Sequence, residues 1–205
     1  MSAVGLNELL GPLYQRILIP LHDLVLTRAA ERGLEGGPRT VLEVGIGAGH
    51  GVAQLGGAGR RVVGIDLSPR MLALARAQVA KATAPVSLAR ATVLGLPFGA
   101  GCFDAVVATL VLDVLEDRDL PAALGELARV LMPGGRLVLG VMEMPNRIAR
   151  DAWMAAYRAA PDLVGRLRPI DLDSLLQSQA LRVLRTENVK GLVGVRLVTL
   201  VKSVG

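Results

Sequence analysis

Short aliphatic runs alternate with longer helical patterns along the chain from Thr40 onward. Near-continuous apolar runs, without the alternation of a half-exposed strand, are typical of strands in a buried parallel sheet. The runs before residue 144 are TVLEV (40–44), RVVGI (61–65), VSLAR (86–90), FDAVVATLVL (103–112) and GRLVLGVME (135–143). They predict a mostly parallel sheet with helices on both faces.

The helical patterns between these strands carry start and stop signals. Ser68 is placed to cap a helix whose first position is Pro69, where a backbone N–H would have no helical partner. Another helix is predicted to begin near Asp119 and to stop at Pro133–Gly135. Alternation of strand and helix implies right-handed crossovers and a Rossmann-like, doubly wound α/β sheet.

The C-terminal part of the chain follows a different pattern. Helical patterns at 146–160 and 171–180 precede two apolar runs, LRVLRTENV and GLVGVRLVTLVK, and turn-forming residues between Asn188 and Gly191 separate these runs. Two strands joined by a short turn form an antiparallel hairpin. With this hairpin the sheet is predicted to have seven strands.

We expect one domain over residues 1–205, since neither a linker nor an internal repeat is visible. Its predicted parts are an N-terminal helical lid at 1–35, a ligand-binding core at 38–143, and substrate-side helices with the terminal hairpin at 144–205. The segments 7–32 and 144–170 are rich in aliphatic residues and arginine, and we expect them to close over a substrate from opposite sides.

Composition and charge narrow the classes of protein to consider. Hydrophobic residues make up 52% of the 205 positions, which excludes a disordered chain, and aromatic residues make up only 2%. So few aromatic rings argue against a base-stacking surface for nucleic acid. The net charge of +5 comes from scattered basic residues, and Cys102 is the sole cysteine, so an intramolecular disulfide is excluded.

Neither a signal-peptide pattern nor an apolar run of about 20 residues is visible. We therefore expect a cytoplasmic protein with no stable membrane insertion and no nucleic-acid partner.

The stretch EVGIGAGHG, residues 43–51, follows the first predicted strand and precedes a helix near His50. In open α/β sheets ligands bind outside the carboxyl ends of the strands, and glycine lets a ligand approach the main chain there. The dinucleotide fingerprint G-x-G-x-x-G fails in both registers, because His50 or Val52 stands where its third glycine belongs. The pattern present is acid-x-G-x-G-x-G, with Glu43 as the acid.

A second acid supports a nucleoside ligand. Asp66 ends the second predicted strand, where a carboxylate can accept hydrogen bonds from both ribose hydroxyls. Leu67 follows it and can pack on a purine. A carboxylate close to the glycine turn suits a cofactor that carries a cationic amino-acid tail better than it suits a pyrophosphate.

The chain here resembles the class I S-adenosylmethionine-dependent methyltransferases, in particular the small-molecule branch with quinone and phospholipid methyltransferases. The resemblance runs from about Val41 to Glu143 and rests on four pieces in order: VLEVGIGAGHG, VVGIDLSPRMLALAR, LPFGAGCFDAVVATLVLDVLED and ELARVLMPGGRLVLGVME. It implies S-adenosyl-L-methionine as cofactor, S-adenosyl-L-homocysteine as product, and a seven-stranded sheet with a reversed last strand.

The resemblance also implies roles for individual residues. The glycine turn approaches the methionine part of the cofactor, Glu43 orients the turn or the methionine amino group, and Asp66 takes the ribose hydroxyls. The full set of implied cofactor contacts is Glu43, Gly45, Ile46, Gly47, Gly49, Asp66, Leu67, Met71, Thr92, Val93 and Thr109. One position departs from the family, which usually has an aspartate where Thr92 stands; the hydroxyl is a weaker, uncharged acceptor for the adenine amino group.

Catalytic candidates are fewer, because methyl transfer from a sulfonium needs alignment of donor and acceptor more than it needs a catalytic group. Asp113 lies just past the fourth strand, where it can take a proton from the acceptor or serve as a helix cap or solvated acid. His22 and Tyr14 can reach over the cofactor from the N-terminal segment or occupy ordinary helix positions. Trp153 and Tyr157 fit a substrate wall or core packing.

The predicted function is methyl transfer to a small apolar or amphipathic acceptor: a quinone-like ring, a polyketide-like compound or a lipid headgroup. The alternatives are a methyltransferase-like partner protein with weak cofactor binding, or transfer of a different group such as aminopropyl. The Asn/Asp-Pro-Pro-aromatic motif of base-modifying relatives is absent, since that place reads ATLVLD. We expect a monomer or a homodimer and no bound metal.

Overall fold

Seven strands form one sheet in the order β3-β2-β1-β4-β5-β7-β6. The computed structural model describes residues 19–57, 59–80, 86–177, 181–190 and 194–203. The strands are β1 Thr40–Val44, β2 Arg61–Asp66, β3 Val86–Arg90, β4 Phe103–Thr109, β5 Leu131–Glu143, β6 Leu181–Val189 and β7 Gly194–Lys202. Strands β1 to β5 pair in parallel, and β7 runs antiparallel to both β5 and β6. The predicted Rossmann-like sheet with its terminal hairpin is confirmed.

Helices cover both faces of this sheet. They are α1 Ile19–Leu34, α2 His50–Leu55, α3 Pro69–Val79, α4 Leu120–Val130, α5 Arg147–Ala159 and α6 Leu172–Leu176. One buried cluster contains apolar side chains of α1, α2 and α3, and a second contains those of α4 and α6 on the other face. Aliphatic side chains dominate both clusters, as the composition predicts.

Some element boundaries differ from the predicted ones for local reasons. Strand β4 was expected to reach residue 112 but ends at Thr109, because Leu110 turns the chain with a φ of 56°. The helix before β5 ends at Val130 rather than at the Pro133–Gly135 signal. Those residues bulge out of β5 instead, since Phe103 pairs with Leu131 while Ala105 pairs with Arg136. The second C-terminal helix is only the short α6.

Helix α1, within the predicted N-terminal lid, packs directly on the sheet. Its residues Val25 and Ala29 are fully buried. At its C-terminal end, Arg32 donates two hydrogen bonds to the carboxylate of Glu187 on β6, and Glu35 accepts one from Arg136 on β5. These contacts make α1 a layer of the structure, and lid closure by residues 1–35 stays a prediction. No helix within the described ranges is both long enough and apolar enough to cross a membrane.

Candidate cofactor site

The glycine turn lies at the carboxyl ends of β1 and β2, which pair in parallel. The backbone N–H groups of Gly45 and Ile46 both donate to the carbonyl oxygen of Ile65, at 2.8 and 3.1 Å. Gly45, Gly47 and Gly49 have φ angles of 73°, 51° and 91°. Residues with a Cβ rarely adopt this left-handed region, so the alternate glycines are required by the backbone path itself.

The three glycines have different surroundings. A Cβ on Gly45 would collide with the side chain of Val111, and one on Gly49 would lie 2.8 Å from the backbone of Ala75 in α3. A Cβ on Gly47 would meet nothing within 4 Å. Packing therefore explains two of the glycines, and of the three only Gly47 has open space where a Cβ would lie.

Asp66 ties the end of β2 to this turn. Its Oδ2 accepts a hydrogen bond from the backbone N–H of Gly47 at 2.9 Å, and its Oδ1 accepts one from Ser68 at 2.8 Å. Ser68 caps α3 as predicted, accepting from the N–H of Met71. The next side chain, Leu67, is 61% exposed. Asp66 therefore stabilises both the glycine turn and the start of α3, and the exposed apolar side chain of Leu67 lies next to it.

Glu43 is a buried acid beneath the turn. The residue is only 3% exposed, and its Oε2 has no hydrogen-bond partner among the residues that the structure describes. Its carboxyl group lies against Gly51, the second residue of α2, where any side chain would collide with it. Burial raises the pKa of Glu43 to about 8, so near neutral pH this carboxyl is largely protonated in the protein alone.

The remaining predicted cofactor contacts fall into two groups. Ile46 and Val93 are buried in the two apolar clusters, so a cofactor can reach only their main chain. Met71, Thr92 and Thr109 are half-buried. The hydroxyl of Thr92 accepts a hydrogen bond from Leu94 at 3.3 Å, whereas the buried hydroxyl oxygen of Thr109 has no partner within the described part of the chain.

Asp113 is fully buried, which excludes the interpretation as a solvated acid. Its Oδ1 accepts a hydrogen bond from the backbone N–H of Met142 at 2.6 Å, and its Oδ2 has no partner among described residues. Burial raises the pKa of Asp113 to about 7, although the Met142 N–H and the charge of Arg168 oppose this rise. The acid joins the turn after β4 to the end of β5.

The side chains of the other two predicted catalytic residues, Tyr14 and His22, fall outside the described part of the structure, and two further candidates lie at a helix start or in a packing contact. Tyr14 lies outside the described residues, and His22 belongs to α1 but its side chain is outside the described part. His50 is exposed at the start of α2. The indole Nε1 of Trp153 donates to the carbonyl oxygen of Leu167 at 2.9 Å, so this ring anchors α5 to the following segment.

Two residues at this edge of the sheet were not predictable from the sequence. Val111 covers Gly45, and Arg168 fastens its own segment to the turn after β4 by donating to the carbonyl oxygen of Leu115 and pairing with Asp117 at 2.8 Å. Such contacts join distant parts of the chain. Across the described ranges, no group of three His, Cys, Asp or Glu side chains could hold a metal ion.

The match with known proteins is consistent with this geometry. Residues 41–135, which contain the turn and Asp66, match a methyltransferase domain family. An uncharacterised methyltransferase of Synechocystis is 31% identical over 169 residues, covering 82% of this chain and 74% of that protein.

The chain belongs to the class I S-adenosylmethionine-dependent methyltransferases.

Two further similarities extend this assignment. The demethylmenaquinone methyltransferase of Thermus thermophilus is 42% identical over 120 residues. The match covers 58% of the present chain and 53% of the Thermus protein, so the chain spans about half the length of that relative. The structure of N-methyltransferase NodS from Bradyrhizobium japonicum, in complex with S-adenosyl-L-homocysteine, aligns with a TM-score of 0.70 and 25% identity. That alignment covers 89% of this chain and 88% of NodS.

Proposed function

We propose that this protein transfers a methyl group from S-adenosyl-L-methionine to a small amphipathic acceptor with an aromatic ring, of the kind named in the Thermus relative, demethylmenaquinone. The observation that carries the proposal is the open face of Gly47, held by the carboxylate of Asp66. A side-chain-free main chain beside an acid at the end of the next strand is a suitable cradle for a nucleoside with an amino-acid tail.

Asp66 can hold the turn and the ribose at the same time. Each oxygen of a carboxylate accepts about two hydrogen bonds, and each oxygen of Asp66 accepts one from the backbone. One acceptor position on each oxygen therefore remains for a ribose hydroxyl. The exposed Leu67 would cover one face of the adenine, and Thr92 would accept from its amino group.

Glu43 would act on the amino-acid end. Its carboxyl group is buried, and Oε2 lacks a partner within the described residues. A cationic amino group close to this carboxyl would favour its ionised form and lower the raised pKa. We expect Glu43 to be protonated in the free protein and charged in the complex.

When bound, the cofactor would supply a methyl group activated by a positively charged sulfonium sulfur. Transfer of this methyl group to the acceptor would leave the sulfur as a neutral thioether. The protein would bring the acceptor into line and exclude water. The turn after β4 is suited to this task, since Val111 contacts the glycine turn and Asp113 contacts the end of β5.

A partner protein with weak cofactor binding is the second candidate, and Thr92 favours it because a hydroxyl replaces the usual carboxylate. Calorimetry with S-adenosyl-L-homocysteine separates the two. Absence of binding at millimolar ligand supports the partner protein, and one-to-one binding supports the enzyme.

Activity is tested by incubating the protein with S-adenosyl-L-methionine labelled in its methyl group and with chemically reduced demethylmenaquinone. We expect labelled methyl in the organic extract with wild-type protein and much less with Asp66→Asn. Asp119→Asn, a partly exposed acid before α4 whose side chain makes no capping hydrogen bond, is the matched control. Cofactor binding without labelled product from either this acceptor or a polyketide-like phenol would contradict the proposed acceptor class, and labelled product from a lipid headgroup alone would contradict the aromatic ring.

A further inference from the structure

A cavity of about 640 Å³ opens beside the carboxyl end of β5. The last residues of β5, the start of α5 and residues 169–173 surround it. Cavities that bind small molecules measure roughly 300–1,000 Å³, so this one is large enough for a fused-ring compound. None of the predicted cofactor contacts lines it.

The cavity lies within reach of the cofactor turn. In the sheet, β4 alone separates β5 from β1, and all three strands run in parallel. Neighbouring strands are about 4.8 Å apart, and Val44 at the end of β1 is level with Leu139, four residues before the end of β5. The carboxyl end of β5 therefore lies about 16 Å from that of β1. A ligand in the cavity and a cofactor on the turn would therefore lie on the two sides of the carboxyl end of β4, and an acceptor would have to extend from the cavity over β4 to meet the cofactor.

The lining of the cavity is mostly polar and charged, and a smaller apolar part forms its floor. Met142 and Ile170 form nearly buried parts of its wall, and Pro169 adds another apolar surface. Arg147 and Asp151 on α5 are exposed, and their charged groups are 3.7 Å apart. A flat apolar ring can lie against the floor, where methionine sulfur packs well with aromatic rings.

Arg196 on β7 is one of several charged residues that line this cavity. Its Nη1 is held by the carboxylate of Asp173 at 2.9 Å, and Glu143 lies 3.5 Å from its Nε. This Nε is buried and has no hydrogen-bond partner among the described residues. Asp173 therefore holds the guanidinium through Nη1, while Nε has a hydrogen that no described residue accepts. Glu143 is partly exposed and can rotate away from Nε.

We propose that this cavity is the acceptor pocket, and that the guanidinium of Arg196 donates a hydrogen bond to an oxygen on the acceptor's ring. The inference rests on the proposed methyltransferase function and adds the location of the acceptor and a feature of its chemistry. Arg196 selects acceptors whose apolar ring carries a carbonyl or hydroxyl oxygen over hydrocarbons of the same shape.

The test is a titration of the S-adenosyl-L-homocysteine complex with a matched pair of probes, 2,3-dimethyl-1,4-naphthoquinone and 2,3-dimethylnaphthalene. The two share a planar fused-ring outline and differ at two ring positions, where the quinone has carbonyl groups and the hydrocarbon has C–H groups, and neither requires turnover. Wild-type protein should bind the quinone more tightly than the hydrocarbon. Arg196→Met should weaken quinone binding about tenfold or more and leave the hydrocarbon unchanged, because only the charged donor is removed.

Arg196→Lys is the control for structural damage caused by removing the charge in Arg196→Met. It keeps a cation beside Asp173 but removes the planar donor group, and we expect it to bind the quinone as weakly as Arg196→Met. Both variants should bind S-adenosyl-L-homocysteine as wild type does. Unchanged quinone affinity in either variant, equal binding of the two probes, or binding of neither would overturn the inference. Failure of the wild-type protein to bind S-adenosyl-L-homocysteine would instead count against the proposed function.

Discussion

The Oδ2 atom of Asp66 lies 2.9 Å from the backbone nitrogen of Gly47 and accepts its hydrogen bond. The carboxylate that ends β2 thereby fixes the glycine turn that follows β1. The two halves of the proposed cofactor site are joined by the protein itself, so the site we propose is preorganised rather than assembled by the ligand.

The glycines of the turn should respond differently to substitution. Gly49→Ala adds a methyl group 2.9 Å or less from Ala75, whereas Gly47→Ala adds one to open space. Both variants carry left-handed strain of about 1–2 kcal/mol. We therefore expect Gly49→Ala to lose more stability and Gly47→Ala to lose more affinity for S-adenosyl-L-homocysteine.

Urea unfolding and calorimetry measure the two quantities on the same preparations. If the two variants lose stability and affinity in the same proportion, the distinction between Gly49 as a packing glycine and Gly47 as a ligand-facing glycine is contradicted.

The sequence predicted the parts of the site that depend on local pattern. The glycine spacing, Asp66 at the end of its strand and Ser68 as a helix cap all lie within short stretches, and backbone geometry dictates their residue types. Which glycine is open was not predictable, because Val111 and Ala75 come from other parts of the fold. The buried environment of Asp113 and the contact of Arg196 with Asp173 depend likewise on distant packing.

Stability should fall between pH 5 and pH 9. Burial raises the pKa of Glu43 from 4.5 to about 8, so between these two pH values the folded state holds a proton that the unfolded state has largely lost. Its contribution is largest below pH 4.5 and is lost as pH rises toward 8, at about 1.4 kcal/mol for each unit of difference in pKa. Asp113 acts in the same direction.

Glu43→Gln removes one titrating group, so the decline in its free energy of unfolding should be shallower than in wild-type protein. Urea titrations at several pH values provide the measurement. Acids paired with arginine, such as Glu187 with its lowered pKa, titrate below this range. A variant curve parallel to the wild-type curve would show that Glu43 is ionised in the folded protein.

Asp113 should behave as a positioning residue. Asp113→Asn keeps an oxygen that can accept from Met142, so we expect its turnover to stay within about threefold of wild type. Asp113→Ala leaves that buried N–H unpaired and should cost about 1–3 kcal/mol of stability. Turnover by the stably folded Asn variant reduced a hundredfold or more would instead establish Asp113 as the acid-base catalyst.

Thr92→Asp should tighten binding of S-adenosyl-L-homocysteine about tenfold, because a charged acceptor replaces a hydroxyl opposite the adenine amino group. Thr186→Asp adds the same charge on exposed β6 and serves as the matched control. Calorimetry on both variants provides the comparison. Unchanged or weaker binding by Thr92→Asp would place the adenine away from this side chain.

Calorimetric titration of wild-type protein and Asp66→Asn with S-adenosyl-L-homocysteine tests the cofactor cradle most directly. We predict one-to-one binding by wild-type protein, at least about tenfold weaker binding by the variant, and no binding of NADH by either. Equal affinity of the two proteins, or heat released only with NADH, would contradict the cradle.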